Sequence, residues 1–157
     1  MVTQAQDLEK TNAIRVEESI IINQPVETVY SFWRNLSNLP QVMQHVKEVN
    51  ELSPTRSHWR VKGPLGIDAE WDAEIVVEHE HEMISWQSVK GSRVSTAGSV
   101  HFKPIPNGAE VKVLLQYDPP GGALGDAIAR TFGRDPHHEI RRSLQQLKYH
   151  LEKNKSS

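Results

Sequence analysis

The chain has 157 residues, a formal net charge of −2 and no cysteine. This length suits one domain with a core and an internal cavity. The slightly negative charge argues against a general nucleic-acid binder, and the absence of cysteine excludes disulfides, thiolate metal sites and thiol nucleophiles. The sequence has no secretory h-region and no apolar run of about 20 residues, so we expect a cytoplasmic protein without stable membrane insertion.

The first structured segments are predicted to be one strand and two short helices. In "IRVEESIII" the residues Ile14, Val16, Ile20 and Ile22 share one face at a period of two, which is typical of a strand. "NQPVETVYSFWRNL" predicts a helix, with Pro25 at a plausible first helical position and apolar residues at helical spacing. "SNLPQVMQHV" predicts a second short helix.

The middle of the chain is predicted to form strands. They are "HWRVK", "GIDAEWDAEIVVEHEH", "MISWQSV", "RVSTAGSVHFKPI" and "AEVKVLLQYD". In the second, apolar residues from Ile67 to Val77 alternate with Asp68, Glu70, Asp72 and Glu74, which places the two sets on opposite faces. The Asn-Gly of "IPNGAE" is a strong hairpin signal.

The last part of the chain is predicted to be helical. "GGALGDAIARTFG" has Leu124, Ile128 and Phe132 on one stripe. "DPHHEIRRSLQQLKYHLEKNK" begins with Asp135 as a candidate cap and Pro136 behind it, which either breaks or kinks the helix. Its apolar stripe consists of Ile140, Leu144, Leu147 and Leu151. The pattern predicts an α+β domain in which this helix covers an antiparallel sheet.

The order of these elements resembles the START-like (SRPBCC, helix-grip) superfamily, and specifically its polyketide cyclase/dehydrase family. The resemblance rests on "INQPVETVYSFWRNLSNLPQVMQHVKEV", "WRVKGPLGIDAEWDAEI", "ISWQS" and "GSVHFKPIPNGAEVKVLLQYDPPGG". It implies a sheet of about six to seven antiparallel strands wrapped around a long C-terminal helix, with a hydrophobic cavity between them. Members bind lipids, quinones, sterols or polyketides, and some catalyse cyclisation or dehydration. We expect residues 13–153 to form one such domain, between flexible tails at 1–12 and 154–157.

The glycine pair in "DPPGG" raises the alternative of a phosphate-binding loop, because helix N-termini bind anions. Pro119 and Pro120 lack backbone N–H donors, and no Gly-Lys-Ser/Thr motif follows. We therefore predict that Gly121 and Gly122 form the hinge between the last strand and the final helix.

The carboxylates and histidines give weak signals for catalysis. The alternating acidic residues of "DAEWDAE" are expected to point away from the cavity, to solvent. Glu18 is in phase with apolar neighbours, so it is either a polar anchor or lies at a bulge or strand end. His79 and His81 have metal-site spacing but no visible third ligand, so no metal is expected.

The remaining histidines and serines do not form a catalytic pattern. His137 and His138 open a helix and are expected at the surface, whereas His45 and His58 are candidates for the cavity mouth. No serine lies in a nucleophile-elbow pattern.

The aromatic and small residues give the candidate ligand-binding site. Large indoles beside small residues on one sheet face leave volume for an apolar ligand. The candidate cavity residues are Trp33, Trp59, Trp71, Trp86, Ala69, Ala73, Thr96, Gly98, Tyr117, Leu124, Ile128 and Phe132.

Two functions remain open at this point. The first is binding or transport of a small hydrophobic molecule, such as a lipid, an isoprenoid quinone or a polyketide-like compound. The alternative is a polyketide cyclase, aromatase or dehydratase that uses one or two polar groups, with Glu18, Tyr117 and a histidine as candidates. A third and weaker possibility is a partner-binding domain. No cofactor is expected, and the basic last helix allows transient membrane contact.

Overall fold

The computed structural model describes residues 14–62, 68–92, 95–118 and 136–153. The described strands are β1 (Ile14–Ile22), β2 (Val46–Glu51), β3 (Arg56–Val61), β4 (Ala69–His79), β5 (Met83–Ser88), β6 (Ser95–Ile105) and β7 (Gly108–Asp118). The described helices are α1 (Val26–Arg34), a 3₁₀ helix (Leu36–Gln41) and α2 (Pro136–Lys153). Both predicted tails and the predicted hinge and helix at 119–135 lie outside the described residues.

The described strands form one antiparallel sheet in the order β1-β7-β6-β5-β4-β3-β2. The first and last strands are therefore neighbours, and β1 pairs with β7 in an unbroken register from Ile14 opposite Tyr117 to Ile22 opposite Ala109. Asn107, with φ of 67°, closes the predicted hairpin between β6 and β7. Asparagine tolerates this left-handed conformation better than most residues do. The predicted α+β class is confirmed.

The second predicted helix is shorter than expected, and a strand follows it. Pro40 lies inside the 3₁₀ helix, which ends at Gln41; proline offers no N–H to continue a helix. The chain then enters β2, which the sequence did not reveal. A register irregularity between Val46 and Glu48 allows both Val46 and Val49 to be buried, although they are three residues apart. That spacing hides the period of two by which a strand is predicted.

A second irregularity changes the direction of side chains near the end of β4. Alternation holds up to Ile75, and the register then shifts between Ile75 and Val77. Val77, predicted on the apolar face, is 40% exposed. Glu78 instead faces α1, where it accepts hydrogen bonds from the Tyr30 hydroxyl and from Arg34 Nε. The bulge thus converts an apolar strand end into a polar anchor for α1.

Helix α2 packs on the sheet through its predicted stripe of Ile140, Leu144, Leu147 and Leu151, all of which are buried. Hydrogen bonds join it to β1 and the following turn. Lys148 Nζ donates to the Ile21 carbonyl at 2.8 Å, and the Asn23 N–H donates to Glu152 Oε2 at 2.8 Å. Because β1 is an edge strand, these contacts cover an edge that would otherwise be open.

An apolar cavity between the sheet and helix α2

A cavity of about 100 Å³ lies between the sheet, α1, the 3₁₀ helix and α2. Most of its wall is apolar. The apolar lining residues are Trp33, Leu36, Leu39, Met43, Val46, Trp59, Val61, Trp71, Ala73, Ile75, Ile84, Trp86, Val113, Leu115, Ile140 and Leu144. The polar lining residues among those described are His45, Ser57, Glu74, Thr96 and Ser143. An apolar wall with a few polar groups is typical of small-molecule sites.

The structure brings six of the twelve predicted cavity residues together. Trp33, Trp59, Trp71, Trp86, Ala73 and Thr96 line the cavity. Ala69 is fully buried but is not part of the wall. Of Tyr117 only the backbone, paired with Thr96, is described. Leu124, Ile128 and Phe132 lie outside the described residues. Whether these positions bind a ligand remains a prediction.

Gly98 does not provide the open volume that was expected of it. It lies opposite Trp86 in the pairing of β5 with β6, and the indole of Trp86 covers it. Gly98 borders a separate and more open groove instead of the cavity. Gly98 is therefore matched to a large neighbour on the adjacent strand. The alternation of residues along a single strand cannot reveal such a cross-strand pair.

Two indoles on neighbouring strands form a flat aromatic part of the wall. Trp59 lies opposite Trp71 in the pairing of β3 with β4. Their ring centroids are 6.3 Å apart and their planes differ by 9°. Trp59 Nε1 donates to Ser57 Oγ at 2.9 Å, so its N–H is satisfied within the wall. The pair is thus arranged to offer apolar ring surface to a ligand.

His45 is the histidine of the cavity wall. It follows the 3₁₀ helix and precedes β2, and its Nδ1 is buried. Burial lowers its pKa from 6.5 to about 4, because an apolar environment disfavours the charged imidazolium. The imidazole is therefore neutral near neutral pH, with one donor and one acceptor nitrogen.

His58, the other candidate for the cavity mouth, lies on the outer face of the sheet. Its Nε2 is 2.8 Å from Glu70 Oε1 and its Nδ1 is 2.6 Å from Asp72 Oδ1. The hydrogen bond to Glu70, followed in size by that to Asp72, raises the pKa of His58, whereas partial burial opposes this by disfavouring the charged ring. Two other acidic residues of β4 and the segment before it were also predicted to point outward. Asp68 forms an ion pair with Lys47. Glu74 is among the residues that line the cavity.

Glu18 is an anchor for α2 and does not line the cavity. Its carboxylate accepts hydrogen bonds from Arg141 Nε at 3.2 Å and lies 3.0 Å from His137 Nδ1. The Arg141 hydrogen bond, assisted by His137, lowers the pKa of Glu18 against the opposing effect of partial burial. Since catalytic acids need a raised pKa, this residue is unsuited to donate a proton. It lies in the middle of an unbroken strand, so neither a bulge nor a strand end explains it.

Several wall residues were missed by sequence analysis, although their spacing carried a signal. Ser57 is two residues before Trp59 on β3, and Ser143 is three residues after Ile140 on α2. The periods of strand and helix place each beside a recognised apolar residue. Among the described residues, no group of three or more histidine or acidic side chains is placed to hold a metal ion. None of the described helices is long and apolar enough to cross a membrane.

Comparison with solved structures defines the class of fold. A crystal structure from Deinococcus radiodurans is 32% identical, covers 90% of this chain and 99% of its own, and superposes with a TM-score of 0.73. A START superfamily protein from Mycobacterium smegmatis is 15% identical, with coverage of 88% and 97% and a TM-score of 0.69. At that identity the second match shows the fold alone. The chain thus has the START-like, helix-grip fold.

Comparison of sequences identifies the family. The model of the family described as polyketide cyclase / dehydrase and lipid transport matches residues 22–145. The chain belongs to this family. An uncharacterized 17.2 kDa protein in the melC2-rnhH intergenic region of Streptomyces lincolnensis is 36% identical over 104 residues, which covers 66% of this chain and 67% of that protein.

Proposed function

We propose that the protein binds a small hydrophobic ligand in the cavity between the sheet and α2, as a carrier or sequestering protein. The observation that supports this most is the wall itself. It combines the parallel indoles of Trp59 and Trp71 with aliphatic side chains from the sheet and α2. Transfer of apolar ligand surface from water to such a wall is favourable by about 25 cal/mol per Å².

The size of the cavity limits what can enter it as a whole. An engineered cavity of about 150 Å³ binds benzene, so a volume of about 100 Å³ is on the scale of one ring. A lipid, an isoprenoid quinone or a polyketide-like compound is larger. Such a molecule could place only one ring or a short chain segment in the volume described. We propose a cytoplasmic location and transient contact with membranes where the ligand is a lipid.

A second candidate is a cyclase, aromatase or dehydratase acting on a polyketide-like substrate. The description of the family names this activity together with lipid transport. His45 is the residue that favours it, since its imidazole lies on the cavity wall in the unprotonated form that a general base requires, although its lowered pKa makes it a weak base. Of the catalytic candidates proposed from the sequence, Glu18 is removed, because it is paired with Arg141 and does not line the cavity.

The test for ligand binding begins with mass spectrometry of an organic extract of the purified protein. One hydrophobic compound at stoichiometric amount, absent from an unrelated control protein, would support binding. Ala73 lies on the wall and is almost fully buried, so Ala73→Leu should reduce the volume and the amount of that compound. Ala97→Leu on the adjoining region of the sheet, outside the cavity wall, should leave it unchanged.

The same proteins distinguish the two candidate functions. If the extract is empty but added compounds displace a bound apolar dye, the cavity binds ligands only transiently. This result would favour the enzyme over the carrier. Incubation with a model poly-β-ketone should then change the product distribution, and His45→Phe should remove that change. An empty extract with no dye binding would contradict both functions.

A further inference from the structure

We propose that His45 determines the specificity of the cavity, selecting small neutral aromatic molecules with one hydroxyl or carbonyl group over plain hydrocarbons and over carboxylates. This inference rests on the proposed function, ligand binding in the same cavity. It adds a chemical class of ligand and one residue that recognises it.

Backbone hydrogen bonds fix the main chain at His45. The Lys62 N–H donates to the His45 carbonyl at 3.0 Å, which connects the residue to the end of β3. The Val46 N–H donates to the Met43 carbonyl at 3.0 Å, which closes the turn before β2. A polar group on such a fixed support loses little entropy when it binds a ligand, so it contributes to specificity.

The chemistry of the wall favours a neutral polar group on the ligand. A neutral imidazole can donate to a carbonyl or exchange a hydrogen bond with a hydroxyl, according to its tautomer. A carboxylate would enter an apolar space in which the neutral His45 supplies no countercharge. Burial of an ion without a partner is strongly unfavourable.

The shape of the wall favours an aromatic ring. Trp59 and Trp71 present parallel planes, and the Trp59 N–H is already bonded to Ser57. A planar ring can stack on this surface at a favourable offset. The volume of about 100 Å³ is on the scale of a single ring.

The experiment compares toluene, phenol and benzoate, which share a ring and differ in one substituent, by isothermal titration calorimetry with the full chain. We expect phenol to bind more tightly than toluene by roughly threefold to tenfold, the value of one net hydrogen bond. Benzoate should bind more weakly than phenol by roughly 100-fold or more. His45→Phe should remove the preference for phenol and keep toluene binding.

Two further variants keep the test decisive. His79→Phe makes the same change at an exposed residue at the end of β4, and it should retain the preference for phenol. His45→Gln supplies a donor and an acceptor without a ring, and it should retain most of the preference even if His45→Phe fails to fold.

The possible failures are distinct. Equal binding of toluene and phenol by the unmodified chain, or a preference retained in His45→Phe, would overturn this inference and leave ligand binding intact. If none of the three compounds and no larger apolar dye binds, the proposed function itself fails, and this inference fails with it.

Discussion

The indole of Trp86 occupies the space beside Gly98 that any larger residue would need. The two residues are partners across β5 and β6. A Cβ atom at position 98 would lie 2.8 Å from Trp86 Cζ2 and 2.8 Å from the Leu114 carbonyl oxygen. Since Trp86 also lines the cavity, the glycine determines where one wall of that cavity lies.

Gly98→Ala should therefore destabilise the protein and alter the cavity. One contact involves backbone, so movement of Trp86 alone cannot relieve the crowding, and we expect a loss of about 1–3 kcal/mol. Urea unfolding followed by tryptophan fluorescence measures this. Ala97→Ser on the adjacent position of β6 should change stability by less than about 0.5 kcal/mol. Equal stability of Gly98→Ala and the unmodified chain would contradict the contact.

Glu18→Gln should weaken the attachment of α2 to β1. The side chain of Glu18 is 17% exposed, but its partners Arg141 and His137 are about half exposed. Solvent screening therefore limits the expected loss to about 1 kcal/mol near neutral pH. The matched control is Glu17→Gln, at the exposed neighbouring position on the opposite side of β1. An equal effect of the two substitutions would contradict the anchor.

The contribution of Glu18 should also depend on pH. Its pKa in the folded chain lies below the ordinary value of 4.5, so the unfolded chain takes up the proton first as the pH falls. The stabilisation is present above 4.5 and is lost as the pH drops through the folded pKa. The difference in free energy of unfolding between the unmodified chain and Glu18→Gln should accordingly shrink from about pH 6 to about pH 3.

Regular periodicity made some elements predictable and irregular pairing hid others. β1 keeps a period of two against β7 over its whole length, and the stripe of α2 keeps helical spacing. Both were predicted correctly. β2 and the end of β4 contain register irregularities, so Val49 and Val77 do not follow the phase of their strands. A bulge depends on the partner strand, which a single sequence does not reveal.

The same distinction applies to the cavity. Trp59 and Trp71 were found because each follows the apolar phase of its own strand. The roles of Gly98, His45 and Glu18 depend on contacts between distant segments, such as Glu18 with Arg141. Phase along one strand cannot decide whether a polar residue meets a partner, a neighbouring helix or a cavity.

Tyr30→Phe should remove the hydroxyl that holds Glu78 against α1. Tyr30 is buried, and its hydroxyl donates to Glu78 Oε2. Burial of Glu78 alone would raise its pKa, but the hydrogen bonds from Tyr30 and Arg34 outweigh burial and lower it. Because Arg34 remains at 2.8 Å, we expect a loss of about 1–2 kcal/mol in urea unfolding. Tyr149→Phe changes a residue that is 65% exposed, and a comparable loss there would contradict a specific role for Tyr30.

His58 should stabilise the fold more at mildly acidic pH than at alkaline pH. Its hydrogen bonds to Glu70 and Asp72 raise its pKa above 6.5. The gain is fully present below 6.5 and is lost as the pH rises through the folded pKa. His58→Gln should thus cost about 0.5–1 kcal/mol near pH 6 and less near pH 9. A cost of His58→Gln that is the same at about pH 6 and about pH 9 would contradict the ion pairs.

The contribution of His45 to stability should change with pH in the opposite sense to that of His58. The pKa of His45 is about 4 in the folded chain against 6.5 ordinarily, so between these values the unfolded chain binds a proton that the folded chain does not. Stability should fall as the pH decreases through this range. His45→Phe removes the proton uptake, so its free energy of unfolding should decline less between about pH 7 and pH 5 than that of the unmodified chain.

NMR titration of the His45 ring supplies the direct measurement of this shift. An imidazole on an apolar wall should reach half protonation only at about pH 4, because desolvation opposes the charge. A His45 titration near 6.5 would mean that water reaches the ring freely. The cavity wall would then lack the dry surface on which both ligand binding and the selection of neutral ligands depend.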